Sequence, residues 1–372
     1  MKLVIERAAL LKSLSHVQNV VERRNTIPIL ANVKLDAQGE RLGLTATDME
    51  LSLAASEPAR VAEPGMTTVS AHTFFDIARK LPDGSEIALE QAEGSGEVTL
   101  QAGRSVFTLP SLPGDEFPAM AFEDLDVRFR VPVEDLKRLI DKTRFAISTE
   151  ETRYYLNGIY LHAAKAGATS TLRAVATDGH RLARVEVDLP EGAKDMPAVI
   201  VPRKTVAEIR KLIEGIEGEV QIAVSPSRIQ FMLERAILVS RLIDGTFPDY
   251  ERVIPTGNDK AAVLEAKPFA DAVDRVATIS TERARAVKLR FEPGRATVSA
   301  VSTEAGRAVE EIDADYAGEP LEIGFNARYI LDMMAEIDGG QVRVEMANAA
   351  APTLVRDPGD AGTAYVLMPM RV

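Results

Sequence analysis

Apolar residues recur along the chain at two spacings, one helical and one extended. A spacing of three to four residues predicts amphipathic helices in four segments. The positions concerned are Leu10, Leu14, Val17 and Val21; Leu136, Leu139, Ile140 and Thr143; Val206, Ile209, Leu212 and Ile213; and Ile330, Met333, Met334 and Ile337. Strict alternation, as at Leu42, Leu44 and Ala46 and at Leu51 and Leu53, predicts strands between these helices.

The same order of elements occurs three times. The segment LTATDMELSLAAS, which contains Asp48, recurs 130 residues later as AVATDGHRLARVEV, which contains Asp178. SLPGDEFP recurs at the same offset as RLIDGTFP, and a more diverged third copy includes LEIGFNARYILDMMAEIDGG. Such long repeats are whole domains rather than stacked short modules. We therefore predict an α+β protein of three domains, 1–122, 123–253 and 254–372, each with paired helices backed by antiparallel sheet.

Composition excludes several kinds of chemistry. The 372 residues include no Cys, which rules out disulfides and thiolate metal sites. The four histidines, His16, His72, His162 and His180, lack metal-ligand spacing, and there is no glycine-rich phosphate loop. No signal peptide or long apolar run is present. We predict a soluble, cytoplasmic protein without metal, cofactor or membrane contact.

Charge is distributed unevenly along the chain. The net charge is −12, which by itself argues against a nucleic-acid partner. However, residues 7–24 hold four basic side chains and one acid, and residues 203–214 hold four and two. Arg203 and Lys204 belong to the second group. These segments are either solvated helix faces or a basic surface that contacts phosphate.

Asp178 and His180 form the one candidate acid/base pair. Asp48 occupies the equivalent place in the first repeat without a His or Arg beside it, which favours turn chemistry for the Asp. An enzyme on a repeated α+β scaffold, using the TDGHR loop, remains the main alternative function. A third possibility is an adaptor that docks peptides without DNA.

Several motifs together resemble one known family. TDGHRL (177–182), RYYLNG (153–158), TFPDY (246–250), VIVPRK (199–204) and the terminal YVLMPMRV (365–372) are similar to segments of the bacterial DNA polymerase β sliding clamp, a processivity factor. The resemblance implies the DNA-clamp fold: two head-to-tail subunits close a six-domain ring, with helices lining the hole and sheets outside. It implies no catalysis. The implied partners are encircled double-stranded DNA, the replicative polymerase, the clamp loader and other proteins with clamp-binding motifs.

The resemblance also implies three sets of site residues. The DNA contacts would be Arg24, Tyr154 and Tyr155, to which the charge pattern adds Arg203 and Lys204. A partner-peptide cleft would be formed by Leu156, Thr177, Gly179, His180, Arg181, Leu182, Pro248, Arg252, Val253, Tyr329, Val366, Met368, Pro369 and Met370. The dimer interface would bring together Arg104, Phe107 and Leu109 with Ile279 and Glu304.

Simple geometry independently favours two chains around DNA. A domain of about 125 residues has a radius of gyration of roughly 14 Å, equivalent to a sphere about 18 Å in radius. Three touching spheres of that size leave an opening only about 3 Å in radius, whereas six leave one of about 18 Å. A duplex of about 10 Å radius therefore fits within six domains and not within three.

Overall fold

The structure is a computed structural model that describes residues 1–118, 120, 125, 127–166, 169–280 and 285–372. The helices are α1 Arg7–Val20, α2 Ala71–Lys80, α3 Val133–Arg144, α4 Arg203–Leu212, α5 Ala266–Ala277 and α6 Ala327–Met334. The strands are β1 Lys2–Glu6, β2 Asn32–Gln38, β3 Arg41–Thr47, β4 Leu51–Pro58, β5 Arg60–Glu63, β6 Gly65–Ser70, β7 Glu86–Glu90, β8 Glu97–Ala102, β9 Ser105–Pro113, β10 Val127–Pro132, β11 Gly158–Ala166, β12 Thr169–Thr177, β13 Arg181–Asp188, β14 Val199–Pro202, β15 Glu219–Val224, β16 Arg228–Met232, β17 Ala236–Arg241, β18 Lys260–Glu265, β19 Ala286–Glu292, β20 Arg295–Ser302, β21 Gly306–Asp313, β22 Leu321–Asn326, β23 Gln341–Met346, β24 Thr353–Arg356 and β25 Thr363–Leu367.

Each of these helices begins at the residue after a strand ends, twice in every repeat. The apolar stripe of each helix faces the core: Leu10, Leu14 and Val17 of α1 are fully buried, as is Met333 of α6. Helices formed by an apolar stripe gain most of their stability from such packing. The predicted order of strand, helix and several strands is therefore confirmed, and each of the four predicted segments coincides with a helix, although Val21, Ile213 and Ile337 lie beyond the helix ends.

The chain divides into two compact units that cut through the middle repeat. The first unit comprises Met1–Glu134, Glu191–Pro197 and Lys204–Leu242. Its strands form one sheet in the order β10-β15-β16-β17-β4-β3-β2-β6-β9-β8-β7-β1-β5. Helices α1 and α2 pack together against this sheet. The repeat boundary predicted at 122–123 lies outside the described residues, so the three-domain limits stay a prediction.

The second unit comprises Asp135–Pro190, Ala198–Arg203 and Ile243–Val372. It has an eight-stranded sheet, β14-β11-β12-β13-β25-β24-β23-β18, and a four-stranded sheet, β21-β20-β19-β22. Helices α5 and α6 pack together in this unit. The ladders in both sheets are antiparallel, as predicted.

One strand pairing joins consecutive repeats, and it is used twice. In the first unit β4 pairs with β17, and Leu51 lies opposite Ser240. In the second unit β13 pairs with β25, and Arg181 lies opposite Leu367. Because Arg181 follows Leu51 by 130 residues, the two junctions use equivalent registers. The repeats are thus continuous through backbone hydrogen bonds.

Candidate functional sites

The segment Thr177–Arg181 forms a tight polar turn. Oδ1 of Asp178 accepts hydrogen bonds from the backbone N–H groups of His180 at 2.9 Å and Arg181 at 3.0 Å. Gly179 has φ of +88°, a conformation that favours glycine. In the first repeat Asp48 accepts from the N–H groups of Glu50 and Leu51 in the same way. The carboxylate of Asp178 therefore shapes a turn, as expected from its counterpart, and its hydrogen bond with His180 is to the backbone N–H.

Arg181 is buried, and each of its three guanidinium nitrogens donates a hydrogen bond. Its guanidinium donates to Asp178 at 3.1 Å, to Asp332 at 2.5 Å and to the carbonyl of Phe145 at 2.5 Å. It also lies 4.3 Å from the ring centroid of Tyr329. Cation–π contact and charge-assisted bonds of this kind fix a side chain in place. Arg181 thus positions α6 and the Tyr329 ring.

The predicted cleft residues all lie in the second unit and fall into a floor and a rim. Leu156, Leu182 and Val366 are buried in one cluster that also contains Phe247 and Tyr250. We call these three the floor residues of the predicted cleft. The rim residues are accessible at the surface: Val253 at 42% and Met368 at 38% of full exposure, with Gly179, His180, Pro248 and Arg252 also exposed. Thr177, Tyr329, Pro369 and Met370 are half-buried. Apolar side chains exposed beside a buried apolar floor are typical of a peptide-binding surface.

The C-terminal segment Met368–Val372 connects two sheets of the second unit. The N–H of Met368 donates to the carbonyl of His180 at 2.9 Å, which extends the β13–β25 ladder. The N–H of Met370 donates to the carbonyl of Gly324 in β22, also at 2.9 Å. Pro369 lies between them and has no N–H to leave unpaired. Backbone bonds at both ends therefore hold the rim methionines in place.

A polar network supports the 3-10 turn Tyr250–Val253, which carries two rim residues. Buried Arg173 donates to the Tyr250 hydroxyl and to the Glu251 carboxylate, both at 2.6 Å, and it pairs with Glu186 at 3.2 Å. Nε2 of His162 lies 3.1 Å from the same hydroxyl. The sequence patterns indicate no role for this network. Tyr250 stands in the TFPDY motif, but nothing in the sequence indicates that Arg173 reaches it.

The predicted DNA contacts differ in how free their side chains are. In the first unit, Arg24 is exposed in the segment after α1. Lys204 lies in the same unit, and its ammonium is paired with Asp48 and donates to the carbonyl of Val20 at 3.0 Å. In the second unit, Arg203 is exposed at the start of α4. Of these three side chains, Lys204 is the one whose charge is paired within the described part of the chain.

Two tyrosines in the second unit complete the predicted set of DNA contacts. Tyr154 is 53% exposed, and Tyr155 is half-buried at 5.8 Å from it between ring centroids. Tyr155 therefore anchors the 3-10 turn Glu151–Leu156, and Tyr154 presents its ring and hydroxyl to solvent.

The α-helices carry more positive charge than the rest of the chain. In the part of the chain that the structure describes, α1–α6 contain fifteen basic and eight acidic residues, a net charge of +7. The whole chain has a net charge of −12, so the remaining residues are strongly acidic. The excess of basic residues is largest in α4, where four basic residues stand against one acid. A helical surface can therefore attract phosphate although the protein as a whole repels it.

The predicted interface residues lie on or near two strands that, among the described residues, have an unpaired edge. Residues 105–110 of β9 pair with β8, and β6 pairs only with residues 111–113 of β9. Arg104 is exposed, Phe107 is half-buried and Leu109 is buried. In the second unit β21 is the outermost strand of its sheet. Exposed Glu304 precedes it and half-buried Ile279 follows α5.

Large apolar side chains are exposed on these edge strands at Val106 of β9 and Val309 of β21, and at Val301 on the neighbouring strand β20. Val301 and Val309 are 78% and 60% exposed on β20 and β21. Exposed apolar residues on an open strand edge invite pairing with another chain.

The described residues hold neither a cluster suited to a metal ion nor a helix suited to a membrane. Among the described residues, no three His, Asp or Glu side chains are grouped closely enough to hold a metal ion. Within those same parts of the chain, no helix has the length and apolar character needed to cross a bilayer.

Comparison with known proteins decides the family. Three models of the DNA polymerase III beta subunit match in order: the N-terminal domain over residues 1–121, the central domain over 130–249 and the C-terminal domain over 251–371. The chain belongs to the DNA polymerase III beta subunit family. The beta sliding clamp of Caulobacter vibrioides (strain NA1000 / CB15N) is 55% identical over 372 residues, which is 100% of both chains.

Solved structures of family members have the same fold. The DNA polymerase sliding clamp from Caulobacter crescentus is 55% identical with a TM-score of 0.94, and each chain is covered completely. A sliding clamp from Bartonella birtlesii, solved bound to griselimycin, is 46% identical with a TM-score of 0.97 and again complete coverage of both chains. The predicted α+β DNA-clamp fold is confirmed.

Family membership also decides between the functions considered above. A member of this family is a DNA sliding clamp that serves the processivity of DNA polymerase. The alternative of an enzyme using the TDGHR loop is not supported by any of these comparisons, and the turn geometry of Asp178 agrees with that.

Proposed function

We propose that two copies of this chain associate head to tail into a closed ring around duplex DNA and present the cleft of the second unit to peptides of replication proteins. The main observation in favour of a ring is the pair of open strand edges with exposed apolar residues, one on β9 and one on β21. A ring holds DNA by topology, so it does not need tight phosphate contacts. Such a protein would act in the cytoplasm, where the bacterial chromosome is replicated.

The proposed interface is heterologous, because the two edges differ in sequence. The β9 edge contributes Arg104, Phe107 and Leu109, and its basic residue suits an acidic partner. The β21 side contributes Ile279, Glu304 and the exposed valines. Edge-to-edge pairing would satisfy backbone donors and acceptors that are otherwise left to water. A heterologous contact that closes after two subunits gives a dimeric ring.

Weak and nonspecific DNA contact follows from the charge distribution. The helices carry the positive charge, and Arg24 and Tyr154 add an exposed guanidinium and an exposed ring. Phosphate contacts of this kind weaken as counterions compete at higher salt. They restrain the position of the duplex without reading base edges, which permits sliding.

The cleft would bind short extended peptides of the polymerase, the loader and other proteins with clamp-binding motifs. Its buried floor and exposed methionine suit apolar anchors of varied shape, because Met repacks easily. The relative solved with griselimycin supports a ligand-binding surface within this fold. Peptide anchors usually supply most of the affinity at such sites.

The decisive experiment tests whether retention of the protein depends on the topology of the DNA. The protein is loaded by a clamp loader with ATP onto nicked circular DNA, and part of the sample is then linearised. We expect the protein to stay on circles through gel filtration and to be lost from linear DNA. DNA blocked at both ends is the control and should restore retention. Equal retention on circular and unblocked linear DNA would overturn the ring.

A further inference from the structure

One face of the eight-stranded sheet continues beyond the floor residues of the cleft. On that face, strand pairing places Leu354, Val366, Leu182 and Thr177 in one lateral row across four strands. Val366 and Leu182 are floor residues. Side chains two residues further along each strand point to the same face and form a second row, about 7 Å from the first.

This next row is rich in arginine. Arg343 lies opposite Arg356 across β23 and β24, and Arg184 lies opposite Ala364 across β13 and β25. Because β24 and β13 flank β25, the small side chain of Ala364 separates Arg356 from Arg184. We call Arg184, Arg343 and Arg356 the arginine row.

Carboxylates neutralise the arginine row only in part. Glu345 forms salt bridges with two arginines, at 2.8 Å to Arg343 and 4.0 Å to Arg356. Glu186 also serves two, with 3.3 Å to Arg184 and 3.2 Å to Arg173. Like charges directly opposite each other across strands, as in Arg343 and Arg356, are unfavourable.

The arginine row is partly open to solvent. The side chains of Arg343 and Arg356 are 44% and 40% exposed. Arg184 is more buried, and burial lowers its pKa; the positive charges of Arg173 and Arg356 lower it further, while Glu186 opposes them. An added carboxylate beside these arginines would therefore relieve repulsion as well as form new ion pairs.

We infer that the arginine row selects partner peptides with acidic residues two or three positions from their apolar anchors. The spacing follows from the row separation of about 7 Å and the rise of about 3.3 Å per residue in an extended peptide. This inference rests on the proposed peptide cleft. Charge complementarity beside an apolar site adds specificity more than affinity.

The test uses three synthetic peptides with identical apolar anchors. The first peptide has Glu two and three positions before the anchors, and the second has Glu two and three positions after them. The third peptide has Gln at all four of these positions. At low salt, we expect one acidic peptide to bind about two- to fivefold more tightly than the Gln peptide, the size of a partly exposed ion pair. The preference should shrink at high salt because exposed charges are screened.

Protein variants assign the preference to the arginine row. Arg356→Gln, and the double variant with Arg184→Gln, should bind the acidic and Gln peptides equally while keeping the Gln-peptide affinity of the unaltered protein. Arg295→Gln is the matched control, since Arg295 is 49% exposed, pairs with Glu292 and Glu311, and lies in another sheet of the same unit. It should keep the preference. Thermal melting verifies that each variant is folded.

Three outcomes would overturn the inference. The first is equal binding of all three peptides at low salt, and the second is a preference that survives in the folded double variant. The third is displacement of the acidic peptide, but not the Gln peptide, by a short oligonucleotide, because the arginine row would then be a phosphate site. Failure of every peptide to bind would instead refute the cleft itself.

Discussion

Neighbouring residues of the TDGHRL motif have different surroundings, and their contacts determine what each can do. His180 is exposed beside Tyr329, with 6.4 Å between ring centroids, and is available to a ligand. Arg181 is buried and bonded to Asp178, Asp332 and Phe145. Leu182 is 2% exposed in the core cluster. The motif therefore contributes an exposed side chain at His180, a buried hydrogen-bonded side chain at Arg181 and a floor residue at Leu182.

Substitutions at the floor and the rim should have separable effects. Leu182→Ala should lower the free energy of unfolding by about 2–5 kcal/mol, because it leaves a cavity in a packed cluster. Met368→Ala should leave stability nearly unchanged and weaken peptide binding by about 1–3 kcal/mol through lost apolar contact. Chemical denaturation and calorimetric peptide titration measure the two effects. Unchanged peptide affinity in folded Met368→Ala would remove that residue from the cleft.

Histidine burial should make stability depend on pH. Burial is the main cause that lowers the pKa of His162; Arg173 adds to it, while the Ala163 carbonyl and the carboxylates of Glu251 and Glu186 oppose it. The unfolded chain takes up a proton as pH falls through about 6.5, whereas the folded protein resists protonation. Stability contributed by neutral His162 is therefore present above about pH 6.5 and is lost progressively as the pH falls toward the lowered folded value.

The variant that tests this is His162→Gln, with exposed His180→Gln as the control. Denaturation midpoints measured between about pH 7 and pH 5 should fall less steeply for His162→Gln than for the control. Part of the slope should remain, because burial lowers the pKa of His16 as well. Parallel slopes for the two variants would contradict the assignment to His162.

At the scale of elements, the sequence was sufficient for local structure and insufficient for long-range contacts. Periodicity located α1 from Leu10, Leu14 and Val17 because helix formation depends on an apolar stripe. It placed Ile337 in a helix, whereas α6 ends at Met334. The salt bridge of Arg181 with Asp332 joins residues 151 positions apart, and no local pattern encodes that pairing.

The hydrogen bond between the N–H of Met370 and the carbonyl of Gly324 in β22 is another such long-range contact. We call this contact the clip, and one added methyl group at Gly324 can break it. A Cβ at Gly324 would lie 2.5 Å from the carbonyl oxygen of Met370 and from Val372. Gly324→Ala should therefore displace the segment that carries Met368 and reduce peptide affinity several-fold, by about 1 kcal/mol. Gly257→Ala is the matched control, since nothing lies within 4 Å of a Cβ there.

Peptide titration and thermal melting of both glycine variants provide the check. The control should bind peptides like the unaltered protein. If Gly324→Ala is folded and binds with full affinity, the clip does not position the rim of the cleft.

At the scale of the whole molecule, the repeat carried the prediction of the fold, and the resemblance of motifs such as TDGHRL and TFPDY carried the prediction of the family. Three copies of one domain gave the architecture, and basic helices within a chain of net charge −12 made DNA contact compatible with an acidic protein. The exposed Val301 and Val309 were not anticipated, because a strand edge becomes visible only when the pairing of every strand is known.

The proposed head-to-tail contact can be tested by mixing two defective variants. Phe107→Asp alters only the β9 edge, and Val309→Asp alters only the β21 edge, so each variant alone lacks any intact contact and should be monomeric. In an equimolar mixture, the intact β21 edge of the first variant can meet the intact β9 edge of the second. Sedimentation should then show heterodimers in which one subunit contact is formed and the other is not, so that the ring is open.

Such open heterodimers should not be retained on circular DNA, whereas the unaltered protein should be. Circular dichroism of each variant confirms that the monomers are folded. If one face paired with itself in an isologous dimer, a change outside that face would leave dimerisation intact, and mixing would create no new contact. Dimers of either single variant, or monomers only in the mixture, would therefore contradict a head-to-tail ring.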